Sequence, residues 1–370
     1  MDNHRLQALH DAGQSIWLDY IDRTILHNGD LARRLTDDVL TGMTSNPTIF
    51  QKALAEGNAY DAQLRTAPDT LDVHQLFELV ETRDVSDACD IFADVYHRTA
   101  GADGFVSIEV SPGVADDATA TVEEARRLWQ TVNRPNLLVK VPGTQEGAKA
   151  VRQLISEGIN VNITLLFAVA AYERVIDAYI DGLEARVQSN QPVDRTASVA
   201  SFFVSRVDTE VDKRLEAIGG TARNLEGRAA IANAKTAYQL FVTKFGGSRW
   251  KALEARGARV QRPLWASTST KNPAYRDVMY VESLIGPDTV NTMPPQTIDD
   301  FRDHGVVKRT VDANMDQVRS DLAALAAAGI DMADVTTTLL REGLASFEKS
   351  FVTLSDGIKT KIAQLRQSAT

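Results

Sequence analysis

The stretch LLVKVPGTQEGAKAVRQLISEGINVNITLLF, residues 137–167, decides the fold. It reads as a strand over Leu137–Val141, a helix over Gly147–Glu157 and a second strand over Val161–Leu165. The strands are apolar, β-branched runs, and Pro142-Gly143 punctuates the first of them. A strand, a helix and another strand in this order place two parallel strands side by side.

The same alternation continues on both sides. Further strands are expected at Ser15–Asp19, Leu40–Thr44, Phe105–Glu109, Ser198–Val204, Arg262–Ala266 and Val290–Met293. Helical patterns fill the gaps, among them Val122–Val132, Ala168–Gln188, Asp208–Ile218 and Gly227–Lys244. Eight strands, each followed by helical sequence, predict an α/β fold of the (β/α)₈ barrel type. Extra helices are expected at the N-terminus, between strands two and three (Ala59–Arg98), and after Asp312, ending in an amphipathic helix over Leu344–Gln367. The expected organisation is one barrel domain over 1–370, with a C-terminal helical extension from about 312 to 370. No repeat, low-complexity tract or interdomain linker is visible.

Side chains in a strand alternate between two faces. Here polar residues recur at spacing two inside apolar runs: Trp17 and Asp19, Thr44 and Asn46, Ser107 and Glu109, Asn162 and Thr164. In a barrel the other face packs on helices, so these residues are expected to point into the lumen. Most lie at the C-terminal ends of their strands, where barrel enzymes carry their chemistry. One such strand reads as a hydrogen-bonded plug; four converging strands read as a site.

Lys140 is the only charge in LLVKV. A lysine is seldom buried without a partner or a task. Burial favours the neutral amine, which attacks a ketose carbonyl and forms an iminium. The iminium is an electron sink for cleaving a carbon–carbon bond. Taken alone, Lys140 is as well read as a lysine that snorkels from the strand end or pairs with an acid. Asp19 and Glu109 at neighbouring strand ends favour the catalytic reading.

Composition limits the alternatives. Hydrophobic residues make up 44% and charged residues 24% of the 370, as in a folded globule. The net charge of −10 excludes a general basic footprint for nucleic acid or an anionic membrane. The single cysteine, Cys89, rules out an intramolecular disulfide. The leading MDNHRLQALHDAGQS has charges but no apolar run after them, and no stretch approaches the roughly 20 apolar residues of a membrane span. The expected location is the cytoplasm. The six histidines (His4, His10, His27, His74, His97, His304) do not fall at predicted strand ends with partners at ligand spacing, so no metal is expected. Gly246-Gly247 follows a helix and reads as a C-cap and turn rather than a nucleotide loop.

Several segments resemble the transaldolases. TGMTSNPTIF (41–50) is similar to the family's strand-two signature, and residues 137–167 to its active-site lysine segment. SFFVSRVD (201–208) resembles the strand-six segment and STSTKN (267–272) the strand-seven segment. WLDYIDR and the chain length resemble the actinobacterial type. The resemblance implies a (β/α)₈ barrel that needs no cofactor. It also implies transfer of a dihydroxyacetone unit from sedoheptulose 7-phosphate or fructose 6-phosphate to glyceraldehyde 3-phosphate or erythrose 4-phosphate.

Residue roles follow from the same resemblance. Lys140 forms the Schiff base. Glu109 exchanges protons with carbinolamine and iminium through a water held by Thr164. Asp19 takes the C4 hydroxyl proton, with Asp22 as a rival three residues later. Asn46 and Asn162 bond the sugar hydroxyls, Thr44 supports, and Ser201 and Phe203 line the pocket. Arg206, Ser269 and Lys271 hold the phosphate, with Ser267 an alternative register for Ser269. Many family members carry arginine where Lys271 stands; lysine offers a point charge instead of a two-pronged fork. The expected partners are phosphorylated sugars, and the expected assembly is a monomer or homodimer.

Three rivals remain open in the sequence. A lyase on the same scaffold would release free dihydroxyacetone; such aldolases are shorter and tend to lack a glutamate at the Glu109 position. A metal-dependent aldolase needs clustered ligands. A non-catalytic sugar-phosphate-binding barrel needs no buried lysine between two carboxylates.

Overall fold

The computed structural model describes residues 3–45, 47–55 and 57–367. Its eight strands are Gln14–Asp19 (β1), Leu40–Thr44 (β2), Phe105–Glu109 (β3), Leu137–Pro142 (β4), Val161–Leu166 (β5), Ser198–Phe203 (β6), Arg262–Ala266 (β7) and Thr289–Met293 (β8). They pair in chain order, parallel throughout, and β8 closes on β1. With helices between the strands this is a (β/α)₈ barrel. Each strand end lies within one residue of the sequence expectation.

Helix starts differ more, because caps set them. The Ala118–Val132 and Gln145–Glu157 helices begin where Asp117 and Thr144 accept hydrogen bonds from the backbone N–H of Ala120 (3.0 Å) and Gly147 (2.9 Å). The expected Asp208–Ile218 helix begins three residues earlier, at Ser205. Helices Pro47–Ala55, Asp61–Thr66, Val73–Ile91 and Ala93–Arg98 fill the connection between β2 and β3. A reciprocal cap between Asp72 and Gln75 opens the Val73–Ile91 helix, which packs on β3.

The largest correction concerns the C-terminal extension. It holds a Met315–Ala327 helix and a continuous Met332–Gln367 helix, where the sequence suggests a start at Leu344. The run Thr336-Thr337-Thr338 argues against helix on propensity. Thr336 and Thr337 instead turn their hydroxyls back onto the carbonyls of Met332 (2.9 Å) and Ala333 (2.8 Å), and packing carries the helix through them. This helix lies against the Pro47–Ala55 and Val73–Ile91 helices. Phe351 meets the Phe77 ring edge-on at 5.9 Å, and Leu354 and Ile358 are buried.

The main core lies between strands and helices. A second apolar cluster fills the lumen: Trp17, Phe105, Leu138, Val199, Leu264 and Val290. Trp17 donates Nε1–H to Asp103 at 2.9 Å. Its ring needs Gly42 beside it, since a Cβ on Gly42 would lie 2.5 Å from the indole. This plug closes the lumen below and leaves the strand C-termini open above. No single helix among the described residues is long and apolar enough to cross a membrane.

Candidate active site

Above the plug the strand ends open into a cavity of about 840 Å³. Asp19, Thr44, Glu109, Lys140, Thr164, Ser201, Phe203, Arg206, Ser269 and Lys271 line it, so the structure brings these expected residues together. They come from seven different strands or the loops after them, which only barrel closure can assemble.

Lys140 and Glu109 are register partners on β4 and β3. The Lys140 ammonium donates to Glu109 Oε2 at 3.0 Å and to the Ser45 carbonyl at 3.1 Å, and Lys140 is 8% exposed. Burial raises the Glu109 carboxyl above its ordinary range, with the Lys140 charge and hydrogen bond opposing. Behind it, burial and then the Glu109 charge hold the Glu81 carboxyl well up.

Asp19 and Thr44 face each other in the β1–β2 register. Thr44 donates to Asp19 Oδ1 at 2.9 Å and lies 2.6 Å from the Thr292 hydroxyl on β8. Burial raises the Asp19 carboxyl; Lys140, Thr44, Arg206 and Lys271 oppose it, in that order. The rival Asp22 caps the Arg23–His27 helix through the Ile25 N–H (2.9 Å) and also accepts from Tyr20. Asp22 also lines the cavity, but both its oxygens are engaged locally, whereas Asp19 Oδ2 takes no protein hydrogen bond among the described residues.

Thr164 is buried on the cavity wall, and its hydroxyl takes no protein partner among the described residues. Asn162 lies two residues below, off the cavity wall. Its amide donates to Ser107 Oγ (3.0 Å) and accepts from Ser201 Oγ (2.7 Å). Asn162 thus orients Ser201, whose side chain lines the cavity. Phe203 packs on Phe167 with centroids 5.2 Å apart, and the Arg206 guanidinium sits 5.0 Å from the Phe203 centroid. Asn46 lies outside the described residues.

Arg206 and Lys271 stand at the mouth without a carboxylate partner among the described residues. Lys271 donates to Ser269 Oγ at 2.7 Å. Ser267, the alternative register, lies 2.9 Å from the Ser205 hydroxyl and has φ +56°. Both serines line the cavity, and it is Ser269 that bonds the Lys271 ammonium.

Sequence reading missed the roof. Gly343, Ser346, Phe347 and Ser350 of the Met332–Gln367 helix line the cavity, and Ser350 Oγ lies 2.9 Å from Thr48 Oγ1. Nothing local in that helix marks it as part of a site. Thr292 and the Ser45 carbonyl were missed for the same reason. Among the described residues no three His, Cys, Asp or Glu side chains cluster as a metal would need.

A family profile described as Transaldolase/Fructose-6-phosphate aldolase matches residues 16–358. The chain belongs to the transaldolase/fructose-6-phosphate aldolase family. A transaldolase of Acidothermus cellulolyticus is 49% identical over 364 residues, covering 98% of both chains. One from Frankia alni is 47% identical, covering 99% of this chain and 98% of its own. A third, from Trichodesmium erythraeum, is 44% identical, covering 98% of each. The similarity runs the length of the barrel and the C-terminal extension.

Proposed function

We propose that this chain is a transaldolase, moving a dihydroxyacetone unit from a ketose phosphate to an aldose phosphate through a Schiff base on Lys140. The observation that carries the reading is the buried Lys140–Glu109 pair at 3.0 Å beneath a mouth holding two cations without carboxylate partners among the described residues. A sugar phosphate placed with its phosphate at Arg206, Ser269 and Lys271 has its carbonyl end directed toward Lys140.

Glu109 takes a proton from the Lys140 ammonium, and the free amine attacks the ketose C2. Glu109 then returns a proton, through a water held by Thr164, to the carbinolamine hydroxyl, and water leaves. Asp19 removes the C4 hydroxyl proton; the C3–C4 bond breaks, its electrons pass into the iminium, and the aldose phosphate departs. The enamine left on Lys140 adds to the aldehyde of the acceptor, Asp19 returns the proton, and water releases the new ketose. Phe203 and Phe347 shield the enamine from water in the meantime. A glutamate at position 109 and the helical roof over the cavity favour transfer over release of free dihydroxyacetone. Sugar phosphates are charged metabolites kept inside cells, which supports a cytoplasmic setting.

Borohydride reduction with fructose 6-phosphate, followed by peptide mass mapping, tests the reading. A three-carbon adduct on Lys140, with turnover that requires an acceptor aldose phosphate, supports it. An adduct with acceptor-independent release of dihydroxyacetone selects the lyase. No adduct from a donor that binds overturns the mechanism.

A further inference from the structure

Arg206 sits in the first turn of the Ser205–Ile218 helix that follows β6, and Lys271 on the loop after β7; a phosphate can engage both only if that helix and that loop keep a fixed separation. Next to the strand ends a first tie joins them. The Ser205 N–H donates to the Ser267 carbonyl at 3.0 Å, and the two hydroxyls lie 2.9 Å apart. That tie fixes the helix start beside Arg206 but leaves the rest of the β7 loop, which carries Lys271, unaccounted for.

The Ser205–Ile218 helix presents Asp208 and Asp212 one turn apart, on the face away from Arg206. Asp208 is 1% exposed. Its Oδ1 accepts from the Ala230 N–H at 2.7 Å, and its Oδ2 accepts from the Tyr280 hydroxyl at 2.9 Å. Asp212 repeats the pattern: Oδ1 accepts from the Gly227 N–H at 2.9 Å, and Oδ2 from the Tyr275 hydroxyl at 2.6 Å. Gly227 has φ +74°, and a Cβ there would come within 2.9 Å of the Tyr275 ring. Tyr275 and Tyr280 both belong to the chain that follows Lys271. Each carboxylate thus uses one oxygen on the start of the Ala229–Phe245 helix or the turn before it, and the other on the β7 loop.

We propose that Asp208 and Asp212 are positioning residues for phosphate recognition, bracing the helix that carries Arg206 against the chain that carries Lys271, through Tyr280 and Tyr275. The proposal rests on the reading that Arg206 and Lys271 bind the substrate phosphate. A buried carboxylate is an expensive way to hold a loop, since a buried charge needs all its oxygens satisfied. Two of them, each bridging the same two segments, fix distance and orientation together. Each of the cations is then held by structure that the chemistry at Lys140 does not share.

The test uses the full-length protein with Tyr275→Phe and Tyr280→Phe, singly and together, beside Arg206→Ala and Lys271→Ala. Three quantities are read: the KM for fructose 6-phosphate, the inhibition constant of inorganic phosphate, and the rate of borohydride-trapped adduct formation at Lys140 with dihydroxyacetone, which carries no phosphate. The double tyrosine variant is expected to raise the first two by about tenfold, with kcat and the dihydroxyacetone adduct rate within about twofold of the parent. Restoring the parent constants with Tyr275→Phe alone would assign the brace to Tyr280, which is the more buried of the two. If Lys271→Ala and Arg206→Ala weaken phosphate binding while the double tyrosine variant does not, the brace is wrong and the phosphate site stands. If neither cation variant weakens it, the phosphate-site reading fails first. Equal loss of the dihydroxyacetone adduct would show a general structural defect and overturn the proposal.

Discussion

Glu109 Oε2 lies 3.0 Å from Lys140 Nζ, on the neighbouring strand and in direct register. The pair has two consequences. It gives the ammonium an acceptor for the proton it must lose, and it leaves a carboxyl raised by burial that can hand that proton on. Glu109→Gln keeps the shape and removes the proton carrier. Schiff-base formation is expected to slow by about 10²- to 10⁴-fold while the trapped adduct still maps to Lys140. Single-turnover borohydride trapping measures this; an undiminished rate would take Glu109 out of the proton path.

Asp19 acts later. Its Oδ1 is occupied by Thr44 at 2.9 Å, which fixes the carboxylate and leaves Oδ2 for the substrate. Asp19→Asn or Asp19→Ala is expected to form the iminium with fructose 6-phosphate and then stall before the C3–C4 bond breaks. Reduction should trap a six-carbon phosphorylated adduct on Lys140 in place of the three-carbon one. Mass mapping distinguishes the two, and a three-carbon adduct formed at the parent rate would refute the role.

The barrel and half of its site were legible because both leave local marks. Polar residues at spacing two, as in Asn162 and Thr164, betray a lumen face, and Lys140 is conspicuous as a lone charge in an apolar strand. The failures were non-local. The hydrogen bonds that run from Ser107 through Asn162 to Ser201 join three strands, β3, β5 and β6, and spacing within one strand does not encode them. Phe347 reaches the cavity only because a helix more than 150 residues beyond Thr164 folds back over it. Asp208 and Tyr280, 72 residues apart, could not be paired from sequence. The start of the last helix was misplaced because three threonines argue against a helix that tertiary packing then imposes.

Gly42 offers a test of the lumen plug. Its Cβ position lies 2.5 Å from the Trp17 ring, and that ring is held by its bond to Asp103. Gly42→Ala therefore has to displace a rigid aromatic group rather than a flexible chain end. A loss of about 1–3 kcal/mol is expected from overpacking, read as a lower urea midpoint with an unchanged slope. An unchanged midpoint would mean that the indole moves freely.

The Asp208 carboxyl predicts a pH signature. Burial raises its pKa to about 7 from an ordinary 3.8, opposed by the Ala230 N–H and Tyr280 and reinforced by the Asp212 charge. The folded state binds this proton more tightly than the unfolded chain does. Its favourable contribution is therefore complete below 3.8 and is lost as pH rises through about 7. Asp208→Asn cannot titrate, so its stability relative to the parent should improve across that window and level off above it. The full swing is on the order of 4 kcal/mol at most. Urea unfolding of both proteins from pH 5 to about 8.5 reads the difference between them, which cancels the like-signed contributions of Asp19, Glu109 and Glu81. A difference that stays flat through neutrality would mean that Asp208 is already ionised well below 7, held so by its two hydrogen bonds.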